Sequence, residues 1–219
     1  MRKSNEQLAR TIASMTDIFE ALPTMDGNRP KWFISFGALL YLIRDLPLGI
    51  PFEQDIDISM IYGVADREDI INSFGEYGYK LDSEVLDNWQ HKPLKMAFSP
   101  NGGADKGSYC IDIFFWVIDK AGVAWHTYDQ YNSGKTILDE YVFKATPTSI
   151  LFKPEIISDS WEETAPNINL PLMYGSLLDY WYPPKGPGNE SGWIKKSSNY
   201  GQSMTKNIVK ITNCKEFIG

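Results

Sequence analysis

A mixed α+β fold, with helices around a mixed or largely antiparallel sheet, is what this sequence predicts, on three observations. Short runs rich in β-branched and aromatic residues fall mainly between residues 32 and 128. Apolar residues at helical spacing flank and interrupt those runs. Clusters of Pro, Gly, Asn and Asp separate one segment from the next.

Taken in order, Leu8, Ile12, Met15, Phe19 and Leu22 mark one face of an amphipathic helix over 3–22. Residues 23–30 read as a loop, and 32–35 as a short apolar strand punctuated by Gly37. A helix over 38–44 presents Leu39, Leu40, Leu42 and Ile43, and Pro47, Gly49 and Pro51 break it. Residues 55–61 alternate as a strand, and 65–77 read as a helix with Ile70, Ile71 and Phe74 on one side. Strands over 94–98 and 109–118 are joined through Pro100, Asn101, Gly102 and Gly103 in a hairpin-like connection. A turn over 119–122 leads to a strand over 123–128. No pattern stands out over 146–169. A short helix over 170–181, interrupted at Gly175, precedes a Pro/Gly-rich loop over 183–192, and 203–217 reads as a last helix. The expectation is a single domain over 1–219, with its core at about 31–130 and a C-terminal extension at about 131–219.

Composition narrows the function. A hydrophobic fraction of 43% and an aromatic fraction of 14% argue against disorder. Seven Trp and twelve Tyr suit a sugar- or base-binding cleft, and equally an aromatic core. A net charge of −7 with no long basic run lacks the footprint of a duplex nucleic-acid binder. Cys110 and Cys214 make neither a disulfide framework nor a metal-ligand spacing, which points to a reducing compartment. No stretch approaches the ~20 apolar residues of a membrane span. Arg2 and Lys3 are not followed by the apolar run of a signal peptide, so a cytoplasmic location is expected.

Chemistry is expected at three carboxylates. Asp55 and Asp57 stand two apart on the predicted strand, so both point the same way, roughly 6.6 Å apart at Cα. Two like charges side by side are unfavourable unless a cation lies between them, and oxygen ligands suit Mg²⁺ or Mn²⁺. Asp112 sits in Ile111-Asp112-Ile113-Phe114-Phe115, which is apolar on both faces and reads as an interior strand. A carboxylate there must be paired, hydrogen-bonded or metal-bound. An ion pair to a Lys or Arg such as Arg44 would satisfy it, and a metal site shared with Asp55 and Asp57 is the favoured reading. Gly37 lies at a strand-to-helix turn, where backbone N–H groups can receive a phosphate. Arg44, about two turns further on, can clamp a phosphate or pair with a carboxylate. His91 and His126 read as surface or structural residues rather than as a catalytic base.

Gly37-Ala38-Leu39-Leu40, then Arg44, Ile50-Pro51-Phe52 and Asp55-Ile56-Asp57-Ile58, resemble the LicD/fukutin family, whose members are similar to polymerase-beta-type nucleotidyltransferases. Asp112 in Ile111-Asp112-Ile113-Phe114 matches the third acid of that pattern. Leu172-Met173-Tyr174-Gly175, followed by Trp181 and Pro183, resembles the family's closing segment, and Trp193 with Lys195-Lys196-Ser197 resembles its fukutin-like end. The likeness runs over about 32–198. Glu53, Gln54 and Phe52 depart from the pattern, Ala38 lacks the hydroxyl often found after the glycine, and the segment over 44–51 is one residue longer than usual.

The resemblance implies a nucleotidyltransferase-like sheet with a family-specific C-terminal extension. It also implies Mg²⁺ or Mn²⁺ on Asp55, Asp57 and Asp112, with donor contacts from Gly37, Ala38 and Arg44. The reaction it implies is transfer of a phosphocholine or phospho-alditol group from a CDP-linked donor to a sugar or glycan hydroxyl. The same acids also serve transfer of NMP from an NTP to a small molecule or protein. A non-catalytic member that binds a glycan or a protein is the third expectation.

Overall fold

In the computed structural model the described residues are 5–23, 31–45, 55–101, 109–127, 135–147, 157–159, 168–171, 174–182 and 208–218. The sheet is organised around β5 (Ile111–Ile118), whose eight residues are apolar except for Asp112. One edge of β5 pairs in parallel with β2 (Ile56–Ile61), and the other pairs antiparallel with β4 (Pro93–Pro100). β1 (Trp32–Ile34) adds antiparallel to β2, and β3 (Tyr79–Leu86) adds to β4. The last residues of β5 pass to β6 (Val123–Thr127), then β7 (Tyr141–Pro147) and β10 (Ile208–Ile211), completing an eight-stranded mixed sheet. β8 (Ile157–Asp159) and β9 (Ile168–Leu170) form a separate two-stranded ladder.

Side-chain alternation gives this sheet two unlike faces. On one face Ile56, Ile58, Met60, Met96, Phe98, Ile111, Ile113 and Phe115 are all buried. Helix α1 (Asn5–Ala21) and helix α3 (Arg67–Glu76) cover it, with Phe74 stacked on Phe98 at 4.2 Å and edge-on to Phe19 at 5.8 Å. On the other face lie Asp57 and Ser59 of β2, Asp112, Phe114 and Trp116 of β5, and Lys95 of β4. Helix α2 (Phe36–Leu40), which widens into a π-helical turn over Tyr41–Asp45, and helix α4 (Tyr174–Trp181) cover part of this second face through Phe36 and Trp181.

The mixed α+β architecture and most of the expected elements are present. The turn before β6 forms as expected. Asp119 accepts the N–H groups of Ala121 and Val123 at 2.9 Å and the Trp125 indole N–H at 2.8 Å. Three expectations need correction. The strand carrying the acids starts at Ile56, leaving Asp55 just ahead of it. Helix α4 runs through Gly175 unbroken, because that glycine falls in its first turn, and Leu170 belongs to β9. The terminal segment is not one helix: β-branched Ile208, Val209 and Ile211 pair with β7, and helix α5 (Cys214–Ile218) begins only after Asn213. β3 and β7 were not anticipated at all.

Several sequence features lie outside the described residues. They are most of the 23–30 loop, the breakers Pro47, Gly49 and Pro51, the Ile50-to-Gln54 stretch, Gly102 and Gly103, and Tyr128. So do most of 146–169, Leu172 and Met173, the 183–192 loop, Trp193, the Lys195-Lys196-Ser197 run and the start of 203–217. Among the described residues, no helix is long and apolar enough to cross a membrane.

Phe74 is fully buried where α1, α3, β3 and β4 meet. Phe74→Ala is expected to cost about 3–5 kcal/mol in urea denaturation, from lost transfer energy plus a cavity. A loss under about 1 kcal/mol would show that this junction is not what fastens the helices.

Candidate functional site

Parallel pairing of β2 with β5 sets Asp57 directly opposite Asp112. Neighbouring strands lie about 4.8 Å apart, and opposed residues point to the same face, so the two carboxylates stand side by side. At a separation on the order of 5 Å and an effective dielectric near 20, such a pair repels by about 3 kcal/mol. Burial, then the charge on Asp112, pushes the Asp57 carboxyl up to about 7, against the pull of Lys95 and of the Gly37 and Ala38 amides.

Three features hold this pair. Gly37 N–H donates to Asp57 Oδ2 at 3.1 Å. Lys95 Nζ lies 3.0 Å from Asp112 Oδ2 and 4.3 Å from the centre of the Phe114 ring. Ser35 N–H donates to the Asp57 carbonyl at 2.9 Å, so β1 fastens the strand backbone at the acid itself.

The amide of Gly37 points at Asp57 because of its neighbour. Phe36 adopts a φ of 45°, a left-handed conformation that is costly for a bulky side chain. Its ring is clamped between Trp181 at 4.5 Å, Phe114 at 5.0 Å and His126 at 5.1 Å. Aromatic packing thus holds a strained backbone in place. Ser35 and Ser59, both fully buried and close in the lattice of β1 and β2 to Asp57, have hydroxyls with no hydrogen-bond partner among the described residues.

Beyond Phe114 the same face continues to His126 of β6, opposite Lys144 of β7, both buried. Burial, then Lys144 and Lys95, push His126 down to about 3, so it is neutral at physiological pH. Its Nδ1 has no hydrogen-bond partner among the described residues. The ring packs 4.3 Å from Trp116, which fits the structural role expected of it. His91 is exposed, also as expected.

Of the residues singled out in the sequence, the structure joins Asp57, Asp112 and Gly37. Ala38 joins them through its amide. Asp55 is exposed, and among the described residues no three His, Cys, Asp or Glu side chains group closely enough to hold a metal ion. Arg44 forms a fork on its own neighbour, Nε to Asp45 Oδ1 at 2.6 Å and a terminal nitrogen to Oδ2 at 2.8 Å. The cation on Asp112 is Lys95, which sequence reasoning missed. The signal was present: in Leu94-Lys95-Met96-Ala97-Phe98 a lone lysine alternates with residues that become buried, as Asp112 does in its own strand.

A second buried acid shows what a structural carboxylate looks like here. Asp87 accepts from the Tyr62 hydroxyl and from the N–H groups of Trp89, Gln90 and Lys92, at 2.6–2.8 Å. That carboxylate is saturated with donors. Asp57 and Asp112 instead carry an excess of negative charge on hard oxygen atoms, a donor set that fits a divalent cation.

No protein-family model matches the chain, and no curated protein matches it.

A carboxyl near 7 in the folded state and 3.8 ordinarily binds its proton more tightly when folded. Its cost to stability is therefore absent below about pH 4 and complete above about pH 7. In chelator-treated protein, Asp57→Asn is expected to raise Tm at pH 8, by about 2–4 °C per kcal/mol relieved, and to leave Tm at pH 4 unchanged. A lower Tm at pH 8 would mean that the ionised pair is not under strain.

Proposed function

We propose that this chain is a divalent-metal-dependent transferase of the nucleotidyltransferase type. It moves a phosphocholine- or phospho-alditol-type group from a CDP-linked donor to a sugar or glycan hydroxyl. The carrying observation is the side-by-side pair Asp57 and Asp112, strained by its own charge, with Asp55 just ahead of the same strand. The donor and acceptor classes come from the resemblance to LicD/fukutin proteins.

In this reading Asp57 and Asp112 would hold the Mg²⁺ or Mn²⁺, and Asp55, exposed just ahead of the strand, would have to turn toward them to join. A bound divalent ion supplies charge neutralisation of the diphosphate and of the departing cytidine monophosphate. The chain's own residues do the rest. Gly37 and Ala38 orient the Asp57 carboxylate through their amides. The acceptor hydroxyl attacks the phosphorus of the transferred group as the bond to cytidine monophosphate breaks. Its proton passes to the carboxylate pair, of which Asp57 is raised to about 7 by burial and by the charge on Asp112. Lys95 adds positive charge beside the acids, and Lys144 lies further along the same face opposite His126, which suits an anionic donor in a chain of net charge −7. The phosphate contacts that the resemblance implies for Gly37, Ala38 and Arg44 would each require release of a present partner, Asp57 for the two amides and Asp45 for Arg44.

One observation favours a second reading, a metal-free module that binds a glycan or protein. Lys95 already provides Asp112 with a cation. Calorimetric titration with Mg²⁺ separates the two, because the transferase takes up the ion and the module does not.

Asp55→Asn, Asp57→Asn and Asp112→Asn are each expected to lower turnover by at least about 10³-fold with far-ultraviolet circular dichroism unchanged. Full activity in any one removes that residue from the mechanism. A magnesium-dependent thermal shift is expected with CDP-choline, CDP-ribitol or CDP-glycerol. If NTPs alone shift Tm, the reaction is transfer of NMP.

A further inference from the structure

The geometry points to Lys95 as a built-in counter-cation that stands in for the divalent ion at Asp112 and is displaced when that ion binds. This rests on the metal-dependent reading above and adds to it a residue that governs the affinity.

How this chain holds its other partly buried acids gives the first argument. Asp45 is gripped by the fork of Arg44, and Glu84 by the fork of Arg67 at 2.7 and 2.8 Å. A guanidinium fork is planar and directional, and it holds a carboxylate in one geometry. Asp112 has instead an ammonium 3.0 Å away, a point charge on a flexible four-carbon stem. Asp87, the fully buried acid, is held by a hydroxyl and three backbone amides, and Asp45 and Glu84 by arginine forks. Asp112, which faces Asp57, has a lysine instead.

Charge balance gives the second. Asp57 and Asp112 bring two negative charges together, and Lys95 cancels one. With both acids ionised, that leaves one negative charge outstanding. A divalent ion cancels both, and Lys95 then becomes surplus positive charge at the site. Phe114 gives the ammonium somewhere to rest, because the ring face attracts a cation and already lies 4.3 Å from it. Lys95 and Asp112 side chains are only 12% and 13% exposed, so water screens their attraction weakly and the competition is felt in full.

Titration with Mn²⁺ alone, followed by calorimetry, tests this in the whole chain. Lys95→Met is expected to bind Mn²⁺ at least about tenfold more tightly than the parent, because no ammonium competes. Lys95→Arg is expected to bind it more weakly, because a fork replaces the point charge. Lys95→Met is also expected to melt lower than the parent without Mn²⁺ and to regain the difference when Mn²⁺ is added. Binding in Lys95→Met alone, with none in the parent, supports the competition outright. Equal or weaker binding in Lys95→Met, with binding in the parent intact, overturns the role of Lys95 and leaves the metal centre standing. No binding in any variant overturns the metal centre and this inference with it. Should Lys95→Met not fold, Lys95→Gln carries the same comparison.

Discussion

The parallel register of β2 on β5 is the constraint on which the rest of the site depends. It puts Asp57 opposite Asp112, and two carboxylates on one sheet face then need a cation. The surrounding structure is arranged to contain that repulsion. The β4–β5 pairing brings Lys95 within reach of Asp112, and the end of β1 brings two backbone amides toward Asp57. The fully apolar opposite face, sealed by α1 and α3, supplies the adhesion that makes such a pair tolerable.

Structure and chemistry are thereby divided between the two sides of one sheet. On the side covered by α1 and α3, the inward residues of β2, β4 and β5 are aliphatic and aromatic. On the other, polar groups recur along the strands: Asp57, Ser59, Asp112, Lys95, His126 and Lys144. Among the described residues, the Ser59 hydroxyl and the His126 Nδ1 are buried without a partner, which is unusual in a core.

The strong periodicities were legible in the sequence. The apolar spacing of Leu8, Ile12, Met15 and Phe19 reads as α1, and the unbroken apolar run around Asp112 reads as a central strand. β3 was not legible, because Lys80, Asp82, Ser83 and Glu84 make it look like surface coil; it is held by its pairing with β4 and, at Leu86, by a bridge to Ile137. β10 was misread because Lys210, Lys215 and Glu216 mimic the charge pattern of a helix, while its β-branched residues and its pairing with β7 decide for a strand. In the site, Asp57 and Asp112 could be proposed from their strands alone. Their register could not, since a single chain does not announce which strands pair or in what direction. Nor could the partner of Asp112, because Lys95 reaches it only across that register.

Phe36 bears on how such a chain is free to change. Its backbone angle of 45° suits glycine, whereas its ring is enclosed by three other aromatic rings and His126. Any exchange that relaxes the backbone removes the ring, and any exchange that keeps a ring keeps the strain. Two opposed demands thus fall on one codon, and no single step satisfies both. Inherited drift around Asp57 is therefore channelled through its neighbours, which must be altered first before this position can move.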